Sequence, residues 1–419
     1  MAEQMIKLPQ GAWFAEQDIE ISFPADWQVN LCDSPADRMG PVTEDEIRRA
    51  FAAPVGCRSL RELAAGKKEV CIIFDDISRG TRVDQLVPFV LEELAAAGIQ
   101  DQQVRFICAL GMHGAHTLDI LAKKLGRDIV ARFPVFNHNP YENCQHLGQT
   151  SRGTPVAVNA EVMKCDLKIG IGCITPHPFN GFGGGGKILF PGVCGVETIL
   201  GNHILSATAL MGAGLNPVDG LGRFEGNIMR QEMEEVCRMA GLDVVVSALV
   251  NSRCQTVGLV VGEPVAAHYA GVETARRIYA TPFRPGADIV VANANFKACE
   301  AYIALLFALK SLKPGGDAVV IAHTPLGQIP HYLLGAFGRF IGGKLWSPNR
   351  AAMLAGAGRI IVYSPYRYYA DEEWFGGYGR VQWAASWAEV RQLLQQSHQA
   401  GTVVNVFTDG TIQYYQGQM

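Results

Sequence analysis

Glu69-Val-Cys-Ile-Ile-Phe-Asp-Asp-Ile-Ser-Arg-Gly80 begins with a nearly unbroken apolar run rich in β-branched residues and then turns abruptly polar. A short run of this kind, closed by a turn, marks a strand buried on both faces. Asp84–Ala97 follows with apolar side chains at helical spacing, and Val104–Ala109 repeats the apolar run. Strand, helix and strand in that order predict a parallel pair with a helical crossover. Working outward, the same alternation predicts strands at Ile129–Phe136, Leu167–Ile171, Val244–Leu249, Thr256–Val261, Ile289–Ala292, Ala318–Ala322 and Ile360–Tyr363. Helices are predicted at Val196–Leu210, Asn227–Gly241, Glu263–Ala280 and Phe296–Leu312, and a Thr43-x-x-Glu46 capping box opens another at Glu44. The expected fold is α/β: two α/β domains with mainly parallel sheets and an inter-domain cleft. The Pro/Gly cluster Thr281-Pro-Phe-Arg-Pro-Gly sets the boundary. Residues 1–280 are then an N-terminal domain carrying the chemistry, and residues 281–419 a C-terminal domain closing a substrate cleft. Val403-Val-Asn-Val-Phe and Thr411-Ile-Gln-Tyr-Tyr, across Asp409-Gly410, read as a closing hairpin or strand pair that could pack back on the first domain.

With 419 residues, 48% of them hydrophobic and 18% charged, the chain has ample material for buried cores. Thirty-six basic residues against 40 acidic ones leave a formal charge of −4. No basic stripe stands out, which argues against a nucleic-acid partner. The longest uncharged apolar stretch, Ala301–Leu309, stops at Lys310. A bilayer span needs about 20 residues, so no membrane role is expected. The opening residues lack a basic segment followed by an apolar one, so no secretion signal is read. Eleven cysteines, an odd number with no C-x-x-C pair, fit buried thiols in a reducing cytoplasm. Cys194 lies in the most unusual motif of the chain and is read as structural.

That motif is Ile174-Thr-Pro-His-Pro-Phe-Asn-Gly-Phe-Gly-Gly-Gly-Gly-Lys187-Ile-Leu-Phe-Pro-Gly192. Gly181 to Lys187 spells G-x-x-x-x-G-K, yet Ile188 stands where a P-loop needs Ser or Thr, and Pro191-Gly192 stops the helix such a loop requires. Gly181, Gly183 and Gly186 match G-x-G-x-x-G in letters, without the acidic residue that a dinucleotide site places further on. What remains is a lysine within a backbone stripped of side chains, where the main chain can approach a ligand closely and the amine can act as a clamp or covalent attachment point. Apolar neighbours (Ile174, Phe179, Phe182, Ile188, Leu189, Phe190, Val193) argue that the loop is not simply exposed.

Two further turns follow predicted strands, where doubly wound sheets gather ligands. One is Asp75-Asp76-Ile77-Ser78-Arg79-Gly80, whose acid, hydroxyl and guanidinium suit a phosphate or carboxylate. The other carries His113 in Gly111-Met-His-Gly-Ala-His116. His177 precedes the glycine run and His203 follows it, whereas His116, His138, His146, His268, His323, His331 and His398 are read as structural. No His-x-His, His-x-x-x-His or carboxylate cluster makes a self-sufficient metal site, so a bound metal would take most of its ligands from elsewhere.

Taken together, Asp76-Ile-Ser-Arg79, Gly111-Met-His113, Pro176-His177 with Gly181-Phe-x-Gly-Gly-x-Lys187, and Pro191-Gly192 leading to His203 resemble the nickel-pincer-nucleotide lactate racemases and related 2-hydroxyacid racemases and epimerases. The gaps of ten and sixteen residues linking His177, Lys187 and His203 agree with that family. The resemblance implies that Lys187 holds the nickel-pincer nucleotide covalently, as a thioamide to one thiocarboxyl arm. His203 would be the fourth ligand beside carbon and two sulfurs of the pincer. Asp76, Ile77, Ser78 and Arg79 would lie against the cofactor, with Arg79 near its charged groups or the substrate carboxylate. His113 and His177 would be the acid/base pair on either side of the substrate.

The implied reaction inverts C2 of a 2-hydroxycarboxylate, with loss of the hydroxyl proton to an imidazole coupled to hydride departure. Proteins of cofactor biosynthesis would be loading partners. Lactate-acting relatives carry Gln and Lys in the second domain where the alignment places Ala298 and Ala301; Lys297 lies beside them, read on a helix. This difference points to a substrate larger than lactate, with Lys297 a candidate substrate contact and Trp346, Trp374 and Arg367 possible pocket residues. An aldonate epimerised at C2 is the alternative substrate. A non-enzymatic anion-binding protein is the rival from another class, ahead of a plain NAD or ATP enzyme.

Overall fold

A computed structural model describes residues 3–214, 217–336, 344–345 and 354–416. It divides the chain into two compact units. A middle unit comprises Met39–Asn251 and Gln255–Arg277, and a terminal unit comprises Met1–Arg38, Ser252–Cys254 and Ile278–Met419. The change at residues 277/278 falls near the Pro/Gly cluster. The first 38 residues, assigned from sequence to an N-terminal domain, belong instead with the C-terminal segment. The reason is strand pairing: Gln28–Cys32 lies parallel to Val403–Phe407 in one sheet.

In the middle unit, six strands run in the order Thr256–Gly262, Val244–Val250, Leu167–Cys173, Val70–Asp75, Val104–Ala109 and Val135–Asn137. All pairs are parallel except Val244–Val250 with Thr256–Gly262, which are antiparallel. Val70–Asp75 is buried along its whole length, as the apolar run requires. From it the chain proceeds outward to one side through Val104–Ala109 and Val135–Asn137, and the later strands build the other side. Strand order therefore reverses between Val70–Asp75 and Leu167–Cys173, and the crevice at their carboxyl ends is where doubly wound sheets bind ligands. Thr43 and Glu46 form the expected capping box. Ile129–Phe136, read as one strand, is a short helix, Arg127–Arg132, followed by Val135–Asn137. Gly126, at φ 90°, separates this helix from the one before it.

In the terminal unit, six parallel strands run Val381–Ala384, Ala357–Tyr363, Leu312–Ile321, Ala287–Asn293, Val403–Phe407 and Gln28–Cys32. One face packs against the antiparallel hairpin Gln4–Gln10/Gln17–Phe23 and the helix Trp387–Gln395. Leu8, Ile19, Ile21, Phe23, Trp27 and Trp387 close a core with Ile289, Val291, Val319, Ile361 and Val404. The expected closing hairpin does not form. Val403–Phe407 enters the parallel sheet, and Tyr414–Tyr415 pairs in parallel with Ala280–Thr281. The predicted helix Phe296–Leu312 is shorter, Tyr302–Leu309, preceded by a tight turn at Ala298–Glu300.

Candidate active site

Two side-chain clusters form on loops leaving the carboxyl ends of Val70–Asp75, Val104–Ala109 and Leu167–Cys173. The first is built on the Asp75–Arg79 turn. Asp76 is 3% exposed; its Oδ1 accepts from the Ser78 backbone N–H at 3.2 Å and from the Ser78 hydroxyl. Its Oδ2 lies 2.7 Å from His113 Nδ1 and 3.6 Å from His116 Nε2. Burial alone would raise the Asp76 carboxyl, but His113 beside it, with His116 further out, outweighs burial and holds it well below the usual carboxylate range. A carboxylate only accepts hydrogen bonds, so His113 Nδ1 is the donor in this pair. Ile77 is buried between these polar neighbours, and the Arg79 guanidinium folds back to donate to the carbonyl and hydroxyl of Ser78.

Sequence reasoning missed what holds this turn. Lys124, fully buried on the helix Leu118–Leu125, lies 2.7 Å from Asp75 Oδ1 and donates to the carbonyls of Arg79 (3.0 Å) and Thr81 (2.8 Å). Thr81 donates to the other Asp75 oxygen at 2.6 Å. The Lys124 ammonium thus donates to two carbonyls and faces a carboxylate, which is how a buried lysine is tolerated. His116, read from sequence as structural, also belongs here through its approach to Asp76. Only its place in the loop after the strand could have signalled that.

The second cluster is built on the glycine run. Pro176–His177 pairs with Gly181–Phe182 in a small hairpin, and a tight turn, Gly185–Ile188, carries Lys187. No helix of P-loop type begins after Lys187. The Phe179 backbone N–H donates to His177 Nδ1 at 3.2 Å, and His177 Nε2 lies 2.8 Å from Lys187 Nζ. The Phe179 ring stands 6.1 Å from the His177 ring and 6.0 Å from that of His203. His203, on the helix Val196–Gly212, places Nδ1 2.8 Å from the Ile199 carbonyl. A carbonyl only accepts, so Nδ1 carries the proton and the Nε2 lone pair is left for a ligand. Burial pushes the His203 pKa down to about 4, so the ring is neutral at pH 7.

The glycines of the run serve packing more than the ligand approach expected of them. A Cβ at Gly184 would lie 2.6 Å from the Cys173 carbonyl oxygen, one at Gly185 would lie 2.6 Å from His268 Cβ, and one at Gly186 would run into Cys237 Sγ. Gly183 is the exception, with Thr175 and the Lys187 stem at ordinary contact distance. Arg230, fully buried, donates to the carbonyls of Phe182 (2.6 Å) and Gly184 (3.1 Å) and pins the loop from behind. The two clusters are tied through backbone: the Gly111 N–H, in the His113 loop, donates to the Gly192 carbonyl at 2.9 Å.

Cys194 is buried with its thiol toward the Leu189 carbonyl, and burial keeps it well above the usual thiol range, consistent with a structural role. His138 is satisfied by Asn159 and the Cys194 carbonyl. Lys297, in the terminal unit, lies ahead of the helix instead of on it. It is 1% exposed and donates to the Thr411 carbonyl at 3.1 Å. Trp374 stacks on Tyr302, Arg367 lies 3.6 Å from Glu372, and Trp346 lies outside the described residues. Among the described residues no group of three or more His, Cys, Asp or Glu is arranged to hold a metal ion, and no helix is long and apolar enough to cross a membrane.

Fold and site together define a doubly wound α/β protein with a carboxylate-braced histidine and a histidine–lysine pair at its switch point. Residues 14–212 match the lactate racemase N-terminal domain. The chain is 29% identical over 255 residues to a lactate racemase of Thermoanaerobacterium thermosaccharolyticum, covering 60% of this chain and 58% of the relative. To a lactate racemase of Lactiplantibacillus plantarum it is 27% identical over 242 residues, covering 57% and 55%. The chain thus spans little more than half the length of these relatives. The fold is similar to that of the lactate racemase apoprotein from T. thermosaccharolyticum, with a TM-score of 0.75 and 22% identity over 99% of this chain and 100% of that one. A protein from Thermotoga maritima is similar at a TM-score of 0.65 and 16% identity, over 90% and 99%.

Proposed function

We propose that the protein is a racemase or epimerase that inverts C2 of a 2-hydroxycarboxylate larger than lactate, using a nickel-pincer nucleotide held by Lys187 and His203. The observation that carries this reading is the buried Asp76–His113 pair at the switch point. Asp76 fixes the Nδ1–H tautomer of His113, so Nε2 offers the lone pair that takes a hydroxyl proton, and the carboxylate stabilises the imidazolium that results. The donor set suits the cofactor: His203 offers a neutral Nε2 oriented by a backbone carbonyl, and Lys187 brings an amine on a pinned loop. When bound, the nickel-pincer nucleotide would supply a two-electron site able to accept and return a hydride. His177 would face the substrate from the glycine run, while Arg79 and the Ser78 turn would orient charged groups of cofactor or substrate. Relatives named as lactate racemases support the reaction class, and Ala298 and Ala301 support the larger substrate.

The test is to purify the protein from cells that make the cofactor. Nickel content, intact mass and interconversion of enantiomers across a panel of chiral 2-hydroxyacids and aldonates are then measured. Nickel in stoichiometric amount, added mass at Lys187 and inversion at C2 in both directions are expected. His113→Ala should lower turnover by about 10²–10⁴-fold with nickel retained. A loaded protein that inverts no member of the panel would refute the proposal.

A further inference from the structure

We propose that His177 has a second task, resting on the attachment reading above: before the cofactor is bound it holds Lys187 as a neutral amine, primed for acylation. The Phe179 N–H can only donate, so His177 Nδ1 must accept, and the ring's single proton sits on Nε2. Nε2–H faces Lys187 Nζ at 2.8 Å and donates to it. An ammonium has no lone pair with which to accept, so the nitrogen at Nζ is the amine. An ordinary lysine at pH 7 is protonated in all but about one molecule in a few thousand, and only the amine is a nucleophile. Arg230, donating to the carbonyls of Phe182 and Gly184, keeps the loop from carrying Lys187 away from the imidazole.

Attachment to a thiocarboxylate then balances without an oxidant or reductant. The Nζ lone pair leaves Nε2–H and forms a C–N bond to the thiocarboxyl carbon, and the C–O bond breaks. The oxygen departs as water with one proton from nitrogen and one from solvent, leaving a thioamide. A thioamide nitrogen no longer accepts a hydrogen bond, so acylation also releases His177 Nε2–H for the substrate. The imidazole is thus occupied until the site is loaded.

The test treats purified, cofactor-free protein at pH 7 with sulfosuccinimidyl acetate and follows acetylation of each lysine by peptide mass spectrometry. Lys187 should react at least tenfold faster than the exposed Lys68 in the folded protein and at the same rate in urea. His177→Phe should abolish the excess. His177→Gln, whose amide N–H can reach the same place, should keep part of it. His113→Gln should keep all of it, with thermal melting used to confirm that each variant folds. Lys187 reacting no faster than Lys68, or His177→Phe reacting as fast as the parent protein, overturns the proposal. The intact mass of protein from cofactor-making cells separates the two claims. Fast acetylation without an adduct refutes covalent attachment, whereas an adduct without fast acetylation refutes priming.

Discussion

Asp76 concentrates the largest electrostatic decision at the residue scale. Its carboxylate is buried, takes two hydrogen bonds from Ser78, and turns its remaining oxygen to His113. Asp76→Asn keeps the shape but can present N–H to His113 Nδ1, which reverses the tautomer and, on the proposed function, removes the base from Nε2. A loss in turnover of about a thousandfold is expected, with nickel content unchanged, by the same logic that governs other carboxylate-braced histidines. A fall of less than tenfold would show that the tautomer does not matter. The pH dependence has a definite sign. A carboxylate held below its unfolded value stabilises the fold above about pH 4, and that contribution is lost as pH falls through the lower folded value. The acid limb of a stability profile should therefore flatten in Asp76→Asn.

Among the elements, the glycine run matters most because it is positioned by what lies behind it. Gly186 faces Cys237, on the helix Ile228–Ala240, so closely that no side chain fits between them. Gly186→Ala should cost about 1–3 kcal/mol, as overpacking usually does. Cys237→Ala removes the sulfur and leaves the next atom at 3.6 Å, so the double variant should recover most of the loss in chemical denaturation. Additive costs in the two single variants would show that the contact does not couple loop and helix. The lesson for reading such sequences is physical. A glycine cluster beside a lysine resembles a ligand cradle, yet tight packing against a neighbouring helix demands the same residues.

At the scale of the molecule, the terminal unit joins the first 38 residues to the C-terminal segment. Removing residues 1–38 takes away the edge strand Gln28–Cys32 and the hairpin that buries one face of the sheet. Hydrogen exchange should then lose protection in Ala287–Asn293, Leu312–Ile321 and Val403–Phe407. The strands Val70–Asp75 and Val104–Ala109, whose pairings lie wholly in the middle unit, should keep theirs. Equal loss in both units would show that they fold as one.

The apolar strand runs, the amphipathic helices and the Thr43 capping box depend on neighbours a few residues away, so the sequence alone specified the α/β class and most elements. The spacing of His177, Lys187 and His203, with the Asp76–Arg79 and His113 turns, likewise marked the resemblance and the candidate site. Pairing across 375 residues, as between Asn30 and Asn405, leaves no local trace, and it decided which unit owns the first strands and why the tail is not a hairpin. Tertiary structure alone also brought Lys124 under the Asp75–Arg79 turn, His116 toward Asp76, Arg230 behind the glycine run and Lys297 into a buried turn. Each is a polar group whose meaning depends on its partner, and partners are set by the fold and not by adjacency in the chain.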